Sequence, residues 1–304
     1  RDYYASRGLG DVYKRQFKNN GNWYKGNLHS HTTVSDGKMT PEQSVEVYKE
    51  HGYNFLALSE HDIYTDYRKQ YNTDNFIMIP AIEASAILYQ EEGGSKRLEI
   101  HHLHGILGTS EMQKNAKAPL FTHMEHVPPQ KHYGTWRGRE ISQEIADMLR
   151  DRGCVVTYNH PIWSRVTEEE FIYTEGVQAL EIFNYNTVLE SNTGYDVTYW
   201  DRMLRMGKKI NGFASDDNHN EGLFEDSCGG WICVQAPELT HDAIIQNFLD
   251  GNYYSSAGPV IKDWGIKDGK AWISCSPVNH INFVAGNIIN DGVMVLGKAC
   301  EDSL

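Results

Sequence analysis

The residues with the clearest chemical potential begin at Asn27-Leu28-His29-Ser30-His31, followed by Ser35-Asp36-Gly37. On a strand, alternation puts His29 and His31 on one face, so two imidazoles can share one cation. Asp36 follows at the strand's end, where a turn at Gly37 can return its carboxylate to the same place. Leu58-Ser59-Glu60-His61-Asp62 repeats the arrangement, with His61 just beyond an apolar run. Ile79-Pro80-Ala81-Ile82-Glu83 closes another such run with a carboxylate. A buried Glu is costly unless it faces a cation, and bridging two ions is a natural use for it.

Three further motifs continue the series. His101-His102-Leu103-His104 opens an apolar strand, and alternation pairs His102 with His104 and turns His101 away. One inward ligand is expected there, with His102 preferred and His101 structural. Tyr158-Asn159-His160-Pro161 closes the next strand, with Pro161 fixing the turn. Ala214-Ser215-Asp216-Asp217-Asn218-His219 supplies an Asp-x-His pair in Asp217 and His219, with Asp216 behind them. The total, about eight or nine ligands, exceeds what one tetrahedral ion uses and suits two or three ions sharing a carboxylate. His29, His31, Glu83, His160 and Asp217 are the expected catalytic core.

Positioning these residues requires strands that all end at one face. Short β-prone runs are expected at Gly26–His31, Phe55–Ser59, Phe76–Ile82, Ile100–Leu107, Cys154–Asn159, Ala179–Phe183 and Lys209–Ala214. Helices are expected at Pro41–His51, Gly138–Arg152, Glu168–Ile172, Thr193–Met206 and His241–Asp250. Interleaved in this way, they read as βα units around a parallel sheet, closed or nearly closed into a barrel, with the chemistry at the strands' C-terminal ends. Gly108–Tyr133, with His123, His126 and His132, lacks periodicity and reads as a lid or specificity loop. Beyond Gly258-Pro259, strands at Lys262–Lys267, Lys270–Ser274 and His280–Ala285 suggest a small, incomplete β appendage.

In combination these motifs resemble the PHP (polymerase and histidinol phosphatase) superfamily of metal-dependent phosphoesterases. The opening WYKGNLHSHTTVSDG and the late YYSSAGPVIKD look most like its CehA/McbA-type branch. The resemblance spans Trp23 to Lys262. It implies an α/β fold, a distorted (β/α)7 barrel, over residues 17–258, with the appendage at 259–304. It also implies a trinuclear site. His29 and His31 with Glu83 and Asp217 would hold one ion. Glu83 would bridge to a second held by His160 and His102 or His104, and Asp36, His61 and His219 would hold the third. The His-rich strand and the 108–133 loop depart from the family pattern.

The expected reaction is hydrolysis by a metal-bound hydroxide, with phosphomono- or phosphodiesters first and carboxylic or carbamic esters second. A non-catalytic metal-containing binding module is the remaining reading. Zinc, manganese or iron suits the donor mixture. Arg137 and Arg165 are candidate phosphate clamps, and Tyr64, Trp136, Trp163 and Tyr185 could line a pocket for a ring-bearing substrate, although a core role is favoured for these aromatics.

Composition sets the outer bounds. A net charge of -13 disfavours general nucleic-acid binding, and the partner expected from the hydrolase reading is a small-molecule ester. The five cysteines, Cys154, Cys228, Cys233, Cys275 and Cys300, contain no CxxC pair. No apolar run reaches the ~18 residues of a membrane helix. Residues 1–16, which include SRGLGDVYKRQ, resemble a translated sequencing adapter and are set aside as non-native. On that reading a leader peptide would lie outside this sequence, which leaves a cytoplasmic and an exported location both open.

Overall fold

The computed structural model describes residues 14–15, 21–222, 225–284 and 292–297. It divides into a larger unit, Asn22–Ala257, and a smaller one formed by Arg1–Gly21 with Gly258–Leu304. The first described strand, β1 (Lys14–Arg15), belongs to the smaller unit and lies within the stretch read as adapter-derived.

The larger unit opens with β2 (Asn22–Asn27) and α1 (Pro41–Glu50). A capping box starts α1: Gln43 N–H donates to Thr40 Oγ1, Thr40 N–H donates to Gln43 Oε1, and Pro41 sits where no N–H is needed. Next come β3 (Phe55–Leu56), β4 (Ile63–Tyr64), α2 (Arg68–Tyr71) and β5 (Ile77–Met78). The run expected as one strand at 76–82 divides at Pro80, which has no N–H to give, and β6 (Ala81–Tyr89) continues beyond it. β7 (Arg97–Leu107) returns antiparallel to β6 through a turn in which Gly93 takes φ +74°. This hairpin departs from the general pattern of βα units around a parallel sheet.

The 108–133 segment is not an open lid. It contains α3 (Ser110–Lys114), β8 (Glu125–His126) paired with β4, and β9 (Gln130–Tyr133) paired with β6. Phe121 stacks on Tyr64, and the Arg152 guanidinium lies over it. α4 (Gly138–Asp151) follows, burying Ile141, Ile145, Ala146 and Leu149 along one face. Gly105 admits that face closely, since a Cβ there would meet Leu149 Cδ2 at 2.6 Å.

The chain continues through β10 (Cys154–Tyr158), α5 (Glu168–Phe171) and β11 (Val177–Asn184). The single helix expected at 193–206 is α7 (Val197–Arg205), preceded by a separate α6 (Tyr185–Ser191) that ends at left-handed Asn192. β12 (Asn211–Ser215), β13 (Trp231–Ala236), α8 (His241–Leu249) and β14 (Tyr253–Ser256) complete the unit. β13 and β14 had not been anticipated as strands.

The sheets are mixed rather than wholly parallel. One runs β12-β11-β10-β7-β6-β9 and the other β14-β13-β2-β3-β5. Among the described residues no continuous ladder joins them. Isolated parallel bridges do connect their lines, Ser30 to Asn218 beyond β2 and β12, and His61 to Glu83 beyond β3 and within β6. One apolar cluster also draws on both sheets, with Leu28, Ala57, Ile79, Ile106, Val155 and Phe213 among its buried members.

In the smaller unit β1, β15 (Ile261–Lys267) and β16 (Lys270–Cys275) form one sheet, and β17 (His280–Phe283) pairs with β18 (Val293–Leu296). Ala285, the expected end of the third appendage strand, lies outside the described residues. No helix among the described residues is long and apolar enough to cross a membrane.

Candidate metal centre

His29 and His31 follow β2 on the same side, and both are fully buried. The turn that returns Asp36 is held by Glu60, whose carboxylate accepts from Thr32 N–H and from the Thr32 and Ser35 hydroxyls. Gly37 is required there, because a Cβ would lie 2.6 Å from His31 O. His61 follows β3, Glu83 lies within β6 and His102 within β7. His160 and Asp217 stand just past β10 and β12 with φ of +25° and +54°. Left-handed non-glycine residues at the ends of two strands of one sheet mark backbone held in place by its surroundings.

The imidazoles converge on two carboxylates. Glu83 Oε1 lies 3.2 Å from His29 Nε2, 3.3 Å from His160 Nε2 and 3.4 Å from His102 Nδ1. Its Oε2 lies 2.9 Å from His61 Nδ1 and 3.4 Å from His31 Nε2. Asp217 Oδ1 stands 3.0 Å from both His29 Nε2 and His31 Nε2. At the mouth, Asp36 approaches His61 Nε2 at 3.5 Å and His219 Nε2 at 3.4 Å.

Four overlapping groups could each hold a cation: His29, His31, Glu83 and Asp217; His61, Glu83 and His102; His31, Asp36, His61 and His219; and His29, His160 and Glu181. The donor atoms fit such ions. Glu83 Oε2 and Asp217 Oδ1 are buried without a hydrogen bond, although imidazole nitrogens stand 2.9 to 3.4 Å away. His29 Nε2 and His31 Nε2 face each other at 3.1 Å, where two lone pairs would repel without a proton or cation between them.

In the metal-free chain, protons balance the carboxylates. Burial disfavours the His29 charge, but Asp217, Glu83 and Glu181 together hold it well above the usual histidine range. His219 is raised to about 9 against burial, chiefly by Asp36. Burial works the other way on Glu83, yet the charges of His102 and His29 and hydrogen bonds from His160 and His29 hold it well below the ordinary range. His31 falls to about 3 through burial and the neighbouring His61 and His219. Cation binding therefore competes with protons on His29 and His219.

Not every expected ligand joins the cluster. His104 packs edge-on against His29 with ring centroids 4.2 Å apart, its Nδ1 3.3 Å from Thr157 Oγ1 and its Nε2 without a partner. It lies outside the four groups, whereas His102, the preferred of the two, belongs to one of them. His101 faces away, bonded to Tyr158 and stacked on Trp136. His123 accepts from Asp66 N–H, His126 is exposed and His132 packs on Trp136. Asp216 accepts from Tyr48 O–H and from the amides of Cys228, Gly229 and Gly230, which fixes the turn behind Asp217.

Glu181, in the middle of β11, had not been singled out. Its carboxylate accepts from His29 Nδ1 at 2.8 Å, His160 N–H and Asn184 Nδ2 at 3.0 Å each, and the Ser215 hydroxyl. Asn159 and Asn184 donate to Glu83 and Asp217 at 2.6 and 2.9 Å. The available signal was a lone carboxylate between Leu180 and Ile182 in an apolar strand.

Asp196, before α7, is also buried. Its Oδ1 accepts from Ile162 N–H at 3.1 Å, and its Oδ2 has no partner. Burial pushes this carboxyl up to about 7. A folded-state value above the unfolded one favours the protonated form, so its stabilising contribution is complete below about pH 4 and is lost as pH rises through about 7. Asp196→Asn should gain about 1–3 kcal/mol relative to the parent between pH 5 and pH 8 in denaturant melts of metal-free protein. Parallel pH profiles would contradict this account.

A cavity of about 210 Å³ opens over the cluster, lined by Asp36, His61, His102, His160, Asp217 and His219 and walled by Arg97, Trp163, Asn186, Glu190 and Glu221. Of the other residues proposed for a pocket, Tyr64 and Trp136 pack in the core, and Tyr185 and Arg137 do not line the cavity.

No family model and no curated protein matches the chain. Among solved structures it is similar to a two-domain protein from Bacteroides vulgatus containing a predicted PHP-like metal-dependent phosphoesterase, at 12% identity and TM-score 0.47, covering 94% of this chain and 86% of that one. A protein from Bifidobacterium adolescentis named as a metal-dependent phosphoesterase is similar at 14% identity and TM-score 0.42, over 74% of this chain and 95% of that one. An amidohydrolase from Chromobacterium violaceum, solved with sulfate and no metal, is similar at 13% identity and TM-score 0.42, over 75% and 97% of the two chains.

Proposed function

We propose that this chain is a metal-dependent hydrolase of the PHP type that cleaves phosphate esters at a centre of two or three divalent ions. The observation that carries the reading is Glu83, a buried carboxylate within 3.4 Å of five imidazoles and able to serve more than one cation. His29, His31, Glu83 and Asp217 would hold one ion. His102 and His160 extend the site from the other side of Glu83, and Asp36, His61 and His219 would hold the ion at the mouth. Ions held there would supply an activated water near neutral pH and offset charge on the ester oxygens.

The protein's own share is orientation. Glu181 and Ser164 fix the outward nitrogens of His29 and His160, while Asn159 and Asn184 hold the carboxylates. The two parallel bridges and the apolar cluster common to both sheets support the distorted (β/α)7 barrel as the fold around the site. Trp163 in the cavity wall gives a carboxylic or carbamic ester with a ring-bearing group a second claim on the same centre.

Protein lacking residues 1–16 and reconstituted with zinc, manganese or iron should release p-nitrophenol from phosphate mono- or diesters in preference to a carboxylic ester. His160→Ala should lower that rate at least about 100-fold. A preference for the carboxylic ester would move the assignment to the second class, and turnover unaffected by His160→Ala would reject the site.

A further inference from the structure

The cavity over the cluster has a neighbour. A groove of about 140 Å³, lined by Arg97, Leu98, Glu99, Ile100, Trp163, Ser164 and Arg165, shares Arg97 and Trp163 with it. The main cavity, about 210 Å³, is smaller than the ~300 Å³ at which drug-sized ligand sites begin, so a longer substrate must extend sideways. Trp163 spans the two spaces. Its Nε1 donates to Glu190 at 2.8 Å, one face stacks toward His102 at 6.0 Å and 29°, and it meets His160 edge-on at 5.1 Å.

The opposite wall is fixed as firmly. Ile100 N–H donates to Ser164 O at 3.1 Å and Ser164 N–H to His160 O at 3.1 Å, which ties the turn after His160 to β7. Arg165, at φ +61° in this turn, is thereby brought to the groove that Arg97 also lines. Both arginines are exposed, and neither pairs with a carboxylate among the described residues. Elsewhere Arg68, Arg150, Arg152, Arg202 and Arg205 each hold a carboxylate. Arg137 and Arg139 pair with no carboxylate either, but neither lines either space, and Arg139 lies over the Tyr173 ring. Glu99 is the groove's one acid, and burial with the adjacent Glu170 carboxylate raises it to about 7, so below that value it opposes an anion little.

We propose that this groove is a substrate subsite in which Arg97 and Arg165 bind a second anionic group, joined to the reacting ester by a planar or apolar spacer that lies on Trp163. The proposal deepens the phosphoesterase reading and rests on it. The substrate class becomes small phosphate esters that carry a further carboxylate or phosphate, since guanidinium groups recognise both.

Calorimetric titration of the metal-reconstituted protein with phenylphosphonate, 3-carboxyphenylphosphonate and 1,3-phenylenebis(phosphonate) tests it without turnover. The dianionic-spacer compounds should bind about tenfold more tightly than phenylphosphonate, and whichever gains more identifies the second group as carboxylate or phosphate. The advantage should shrink in Arg97→Gln and in Arg165→Gln, vanish in the double variant, and persist in Arg137→Gln. Equal affinities, absence of binding by all three compounds, or an advantage that survives the double variant would overturn the subsite. Phenyl phosphate hydrolysis by the same preparations is a separate readout: its absence counts against the phosphoesterase reading, whereas loss of the affinity difference with hydrolysis intact counts against the subsite alone.

Discussion

Glu83→Ala should leave a folded protein that has lost the cations shared through that carboxylate and with them at least about 10³-fold of its hydrolytic rate. Five imidazole nitrogens lie within 3.4 Å of its two oxygens, and Asn159 donates to one of them, so no neighbouring side chain can take its place. Asp217 would remain beside His29 and His31, and Glu181 on the far nitrogen of His29, but neither reaches the nitrogens of His61 and His102 that Glu83 serves. The group of His31, Asp36, His61 and His219 does not use Glu83 as a ligand and should retain an ion. Elemental analysis of the purified variant should therefore show partial rather than complete loss of metal. The metal-free variant should also be less stable by about 3–5 kcal/mol, because removing one partner of a buried charge cluster leaves the others uncompensated. Full metal content with normal turnover would remove Glu83 from the centre of the mechanism.

How much of this was legible depended on depth and on pairing. The residues at strand ends were readable, because a His or Asp directly after an apolar run needs only alternation to be placed. His29, His31, His61, His160, Asp217 and His219 are of this kind, and the structure brings them to one cavity or its floor. Alternation also put His102 and His104 on one face of β7, but it carried no information about which stands level with Glu83. The β6–β7 register, set by the turn between residues 89 and 97, places His104 opposite Glu83 and His102 opposite Ser85, yet it is the His102 ring that reaches Glu83, while His104 turns its Nδ1 to Thr157. The same turn makes β7 antiparallel, which a reading in βα units could not supply. The 108–133 segment misled for a related reason: its order comes from pairing with β4 and β6 and from Phe121 on Tyr64, contacts distant in sequence.

Glu181→Gln isolates the least legible part of the site and should be the second most damaging conservative change. Glu181 sits in β11 as one more strand residue, yet its carboxylate accepts four hydrogen bonds. Glutamine has nearly the same shape but offers one accepting oxygen and one donating NH₂. If the NH₂ faces His160 N–H and Asn184 Nδ2, donors oppose donors, and the backbone amide cannot turn away. If it faces His29 and Ser215, the hydroxyl can rotate, but His29 Nδ1 must become an acceptor. The His29 proton then moves to Nε2, the nitrogen that faces Glu83, Asp217 and His31. That nitrogen could no longer offer a lone pair to a cation. The substitution should weaken metal binding about 10–100-fold and lower kcat/KM in proportion at limiting metal, with partial rescue by excess metal. Glu181→Ala would confound this with a cavity and lost packing, whereas the glutamine variant alters only the direction of the hydrogen bonds. Metal affinity measured by competition with a chelator should show the loss before any change in melting temperature exceeds that of about 1–3 kcal/mol. Unchanged affinity in the glutamine variant would mean that His29 does not need its tautomer fixed, and the ion would then have to rest on His31, Asp217 and Glu83 alone.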